Sequence, residues 1–201
     1  ANLGNLAKAY NYYGQSLQLA LETGDKETGE FCKTSIDIID SYNDGKKLRQ
    51  AGKYKESIVK FNEALSKSYI IGNNTLKIKT LRQESLVYMD MNNYQAFLEE
   101  NIKANEIAKA INNSIEIILT FNNIGHYYSL IDNINLAIEN FDNAILLSKR
   151  EGVPSDVVFD PYYNGAVVNI EIGNYDKAIE YLSFALEIIA KDKSNSYYVT
   201  S

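Results

Sequence analysis

Gly173-Asn174-Tyr175-Asp176-Lys177-Ala178-Ile179-Glu180-Tyr181, followed by Ala185, decides the fold of this chain, because its pattern occurs three more times at nearly fixed spacing. The matching turn segments read Gly52-Lys53-Tyr54, Asn92-Asn93-Tyr94 and Asp132-Asn133-Ile134. An aliphatic residue follows each, at Ile58, Leu98, Ile138 and Ile179, and then an alanine, at Ala64, Ala104, Ala144 and Ala185. Blocks written from Ile38, Ile78, Ile118 and Phe159 align without gaps, at offsets of 40, 40 and 41 residues. A period of this length marks a repeat architecture, in which each unit buries its apolar face only against its neighbours.

Each block carries two helical patterns. The first is expected over 38–50, 78–91, 118–131 and 159–172, the second over 54–70, 94–111, 134–150 and 175–191. In the third block Ala137, Ile138, Phe141, Ala144, Ile145 and Ser148 fall on one helical face. The alanine column lets the paired helix approach closely. Gly72, Asn112 and Gly152 share the column just past the second helices, where a left-handed residue ends a helix. Gly24 fits the same role in an earlier, incomplete unit. The second block departs most: Phe97 stands where Ser57, Ala137 and Ala178 are small, and Asn101 where Phe61, Phe141 and Leu182 are large.

The segment Phe121-Asn122-Asn123-Ile124-Gly125-His126-Tyr127-Tyr128 with Ala137 and Ala144, and the opening segment with Ala185, resemble the tetratricopeptide repeat family. The repeats are longer than the family's usual ones and are similar to those of bacterial regulatory and sensor proteins. The resemblance implies an all-α, right-handed superhelical solenoid of antiparallel helix pairs whose first helices line a concave groove. The whole chain, 1–201, then reads as one array: a partial repeat at 1–25, repeats at 26–73, 74–113, 114–153 and 154–193, and the start of a further, truncated helix at 194–201. The implied role is a scaffold, part of a larger protein, that binds a protein or peptide as an extended segment.

Composition narrows the function classes. A formal net charge of −6 lacks the basic footprint of direct nucleic-acid binding. No apolar run is long enough to insert in a membrane. Cys32 is the single cysteine, which forms no internal disulfide and suits the cytoplasm, with the periplasm also open. His126 is the single histidine, so nucleophile–base pairs have one candidate base, and no glycine-rich phosphate loop occurs. No enzyme activity, metal or cofactor is expected. The abundance of Asn, Ile, Lys and Tyr is that of many bacterial chains.

The groove implied by the resemblance carries a column of side-chain amides, Asn43, Gln83, Asn123 and Asn164. A primary amide both donates and accepts, so such a ladder suits the backbone of an extended peptide; support of packing is the other reading. Flanking columns add Tyr42, Arg82, Asn122 and Tyr163, then Lys46 and His126, then Arg49. Lys46, Arg49, Lys79 and Arg82 make the first half cationic, which suits an acidic group on the ligand. Two other readings stay open: a sensory or regulatory domain governing an attached DNA-binding, kinase or protease module, and a structural array that self-associates into a homo-oligomer.

Overall fold

The computed structural model describes residues 3–150 and 152–198. Nine helices and no strand occur among them: α1 Leu3–Thr23, α2 Lys26–Gln50, α3 Tyr54–Ile70, α4 Asn74–Asp90, α5 Tyr94–Ala110, α6 Ser114–Leu130, α7 Ile134–Ser148, α8 Ser155–Glu171 and α9 Tyr175–Tyr198. The chain divides into two compact units, residues 1–107 and 108–201.

One turn chemistry spaces most of these helices. Asn73, Asn93, Asn113 and Asn133 stand 20 residues apart. Their side-chain oxygens accept from the amides of Leu76, Ala96, Glu116 and Leu136, capping the helix that follows. Their own amides donate back to the carbonyls of Ser68, Tyr88, Ala108 and Tyr128, closing the helix that precedes. The residue before each takes the left-handed conformation, with φ of 68° at Gly72, 57° at Asn92, 53° at Asn112 and 59° at Asp132. One asparagine thus ends one helix and starts the next.

This fixes the helix starts. The first helices α4 and α6 begin at residues 74 and 114, a turn before the apolar column at 78 and 118. Lys26–Gln50 is one helix of 25 residues. The break expected at Ser194 is absent: α9 runs to Tyr198, and no glycine or proline interrupts it. Residues 199–201 of that expected helix lie outside the described residues.

In unit 1, helices α2 and α3 form a pair and α3 packs on α4. Ile38, Tyr42, Phe61, Ala64, Leu76 and Val87 make the core. A Cβ on Gly45 would lie 2.7 Å from the Phe61 ring, so only glycine admits that ring. In unit 2, α6 pairs with α7 and α8 with α9, and α7 packs on α8. Gly125 meets Phe141 in the same way, at 2.8 Å. In the last block the ring over the small residue is Tyr181 over Gly165, one position earlier than the column pairing Ala166 with Leu182. Phe97 and Asn101 are both buried, at 1% and 0% exposure, so the second block moves its large side chain back by one helical turn.

Helix α1 packs on α2, and its Leu6 joins the core cluster that includes Phe61 of α3. Ala20 and Leu17 touch the Gly29 position, and the Tyr13 ring meets Phe31 edge-on at 6.1 Å. Further along, Leu6, Ala7 and Tyr10 face Ile39, Asp40 and Asn43 across a cleft.

Candidate functional site

In unit 1 the candidate residues divide by burial. Tyr42 is 6% exposed and edge-on to Phe61 at 6.1 Å, so it belongs to the core. Lys46 lies above it, its Nζ 5.8 Å from the ring centroid. Arg49 donates from Nε to Asp90 Oδ2 at 2.6 Å and from Nη2 to Asp90 Oδ1 at 3.2 Å. That bidentate pair joins α2 to α4 and takes up the Arg49 charge. Lys79 and Arg82 are half-buried and have interactions of their own. Asn43 and Gln83 are half-buried.

Asn43 stands between two clefts of about 300 Å³ each. One is shared with α1 and has Leu6 and Ile39 as its floor. The other is lined by Asn43, Lys46, Lys47 and Gln50. Lys79 borders a third, of about 240 Å³, against Leu6, Ala9 and Tyr13. Helix α1 therefore forms a wall of the candidate surface. The sequence columns, built from first helices alone, contained none of its residues.

In unit 2, Asn164 Nδ2 donates to Asn122 Oδ1 at 2.9 Å, which links α8 to α6. This amide bond serves packing and leaves Asn164 its carbonyl oxygen for a ligand. Asn123 is half-buried and has an interaction of its own. Partial desolvation of the His126 ring lowers its pKa below the ordinary imidazole value. Tyr163 stacks on Phe159, with centroids 5.8 Å apart and planes at 15°. Tyr163, Val167 and Ile170 form an exposed apolar stripe along α8, at 47%, 36% and 46% exposure.

Two polar links between repeats were not foreseen. Glu84 on α4 is 3% exposed and accepts from Asn62 Nδ2 of α3 at 3.5 Å and from the Tyr88 hydroxyl at 3.4 Å. Burial and the neighbouring Glu100 raise its pKa to about 7. On α9, the Tyr181 hydroxyl donates to Asp142 of α7 at 2.5 Å. Among the described residues no cluster of His, Cys, Asp and Glu could hold a metal ion, and no helix is long and apolar enough to cross a membrane.

Helix pairs, three of them closed by an aromatic ring against a glycine, define a helical-repeat protein. The tetratricopeptide repeat family model matches residues 159–192. Comparison with curated protein sequences finds no match. Among solved structures, the chain is similar to BtubC (BKLC) from P. vanneervenii, at 14% identity and a TM-score of 0.68, covering 94% of this chain and 92% of that one. It is also similar to the apo form of RapI, at 15% identity and a TM-score of 0.72, covering 95% and 74%. A putative kinesin light chain repeat structure from Podosopora anserina aligns at 12% identity and a TM-score of 0.58, covering 95% and 90%. At these identities the likeness is one of fold alone.

Proposed function

We propose that the chain is a protein- or peptide-binding scaffold that holds an extended segment against its first helices, and that its work is binding rather than catalysis. The observation that carries this reading is the exposed stripe Tyr163, Val167 and Ile170 beside the Asn122–Asn164 amide pair. Tyr163 and Val167 are four residues apart on a helix, a rise of about 6 Å. Alternate side chains of an extended peptide repeat at about 6.6–6.8 Å. Such a segment can therefore set successive same-side residues on the stripe while its backbone bonds the amides. Each amide bond adds about 0.5–1.5 kcal/mol, so affinity needs several contacts together.

The test is selection from a phage-displayed peptide library on the whole chain, followed by binding to a Tyr163→Ser/Val167→Ser variant. Selected peptides should lose affinity at least tenfold on the variant, with its melting temperature unchanged. Unchanged affinity, or equal loss of binding and stability, refutes the reading. Light scattering of the free chain separates it from self-association. A reducing, cytoplasmic setting suits the one buried thiol, Cys32.

A further inference from the structure

We infer that the two clefts meeting at Asn43 form a charge-ordered site for a short extended peptide carrying an aliphatic residue and, two positions away, an aspartate or glutamate. This rests on the scaffold reading above and gives it a ligand chemistry and a location in unit 1.

Three observations converge here. The cleft between α1 and α2 has an apolar floor, with Leu6 9% and Ile39 1% exposed, and a volume of about 300 Å³ that suits one aliphatic side chain. Asp40 borders that cleft, so a carboxylate is repelled there. The adjoining cleft is lined by Lys46 and Lys47, with Asn43 common to both. Ile39, Asn43, Lys46 and Gln50 follow at helical spacing along one face of α2.

The lysines are available to a ligand. Lys47 reaches Asp44 at 3.5 Å, but the two side chains are 77% and 53% exposed, a pairing that contributes little and that a ligand carboxylate can displace. Lys46 sits over the Tyr42 ring, an arrangement that leaves its ammonium donors free to bond an anion. Arg49, by contrast, is held by Asp90. The acid-binding end of the site is thus Lys46 and Lys47, not the Arg49 end of the helix.

Spacing sets the ligand. Ile39 and Asn43 lie about 6 Å apart along α2, close to two residues of extended chain. A side chain seated on Ile39 therefore places its second neighbour level with Asn43, within reach of the flexible Lys46 and Lys47 stems. The Asn43 amide, between the compartments, faces the intervening backbone. Asp40 gives the site polarity: it keeps the acid on the lysine side and the aliphatic residue against α1.

The experiment uses acetylated, amidated heptapeptides of Ser and Ala containing Leu-x-Glu, Leu-x-Gln or Leu-x-Lys, titrated into the whole chain with backbone amide NMR shifts as readout. Leu-x-Glu should bind about fivefold tighter than Leu-x-Gln, with Leu-x-Lys weakest. A Lys46→Glu/Lys47→Glu variant should invert that order. Ala7→Phe, which fills the α1 compartment, should remove the leucine contribution while preserving helical content. No binding at 1 mM peptide, or an order of preference that the double reversal leaves unchanged, overturns the assignment. If binding survives these changes but is lost in Tyr163→Ser/Val167→Ser, the scaffold reading stands and this site falls. Loss of neither sinks both.

Discussion

Glu84→Gln isolates the one strongly perturbed carboxyl in unit 1. The side chain is 3% exposed between α3, α4 and α5, faced by Asn62, Tyr88 and the carboxylate of Glu100, with Lys103 a weaker opposing charge. Its folded pKa is about 7, against an ordinary 4.5. Below the ordinary value both folded and unfolded chains hold the proton, and the buried acid costs nothing extra. Between the two values only the folded chain keeps it, so stability falls as pH rises through this window. Above about pH 7 the folded chain carries a buried carboxylate, at a cost of at most about 3 kcal/mol. Glutamine keeps the shape and an acceptor for Asn62 but does not ionise. Urea unfolding followed by helical circular dichroism should show Glu84→Gln more stable than the parent by about 2–3 kcal/mol at pH 8. At an m-value of about 2 kcal/mol/M that is a shift of about 1 M urea in the unit 1 transition. At pH 4.5 the two chains should coincide. A parent–variant difference that does not change between pH 4.5 and pH 8, or a variant less stable at pH 8, refutes the reasoning.

Two further outcomes follow from packing. Gly125→Ala places a methyl 2.8 Å from the Phe141 ring and should destabilise unit 2 by about 1–3 kcal/mol, whereas Gly14→Ala meets nothing within 4 Å and should be neutral or stabilising; thermal melts compare them, and similar shifts would be contrary. Phe97→Ala should cost about 3–5 kcal/mol, and adding Asn101→Phe should recover at least 1 kcal/mol of it by restoring the Ala137–Phe141 arrangement. Additive losses in denaturant titrations would show that the two positions do not exchange volume.

The repeat columns carried most of the fold. Ala64, Ala104, Ala144 and Ala185 are indeed buried, because a residue that must be small recurs wherever two helix axes come close. The first-helix starts were less legible. Asn73 and Asn113 are polar, and a reading that follows apolar periodicity enters the helix one turn late. The Gly165–Tyr181 contact escaped because a helix can supply a ring from either of two adjacent positions. For the site, the columns did not reveal the engagements among their own residues. Arg49 and Asp90 are 41 residues apart, a repeat plus one, and Asn122 and Asn164 are 42 apart. Such offsets pair neighbouring columns, which alignment within one column conceals. The approach of α1 to Asn43 escaped because the groove columns draw on first helices alone, whereas α1 reads as the second helix of a partial repeat.

The shared asparagine turns have a mechanical consequence. Within each unit every strong helix contact joins elements adjacent or next-but-one in the chain. Such a topology demands little loop closure, so folding is fast and can begin at any helix pair. Under tension each unit should yield in discrete steps, one hairpin at a time, as a capped turn such as that at Asn73 or Asn133 gives way. The chain would then lengthen in increments set by the spacing of these asparagines rather than rupturing at once.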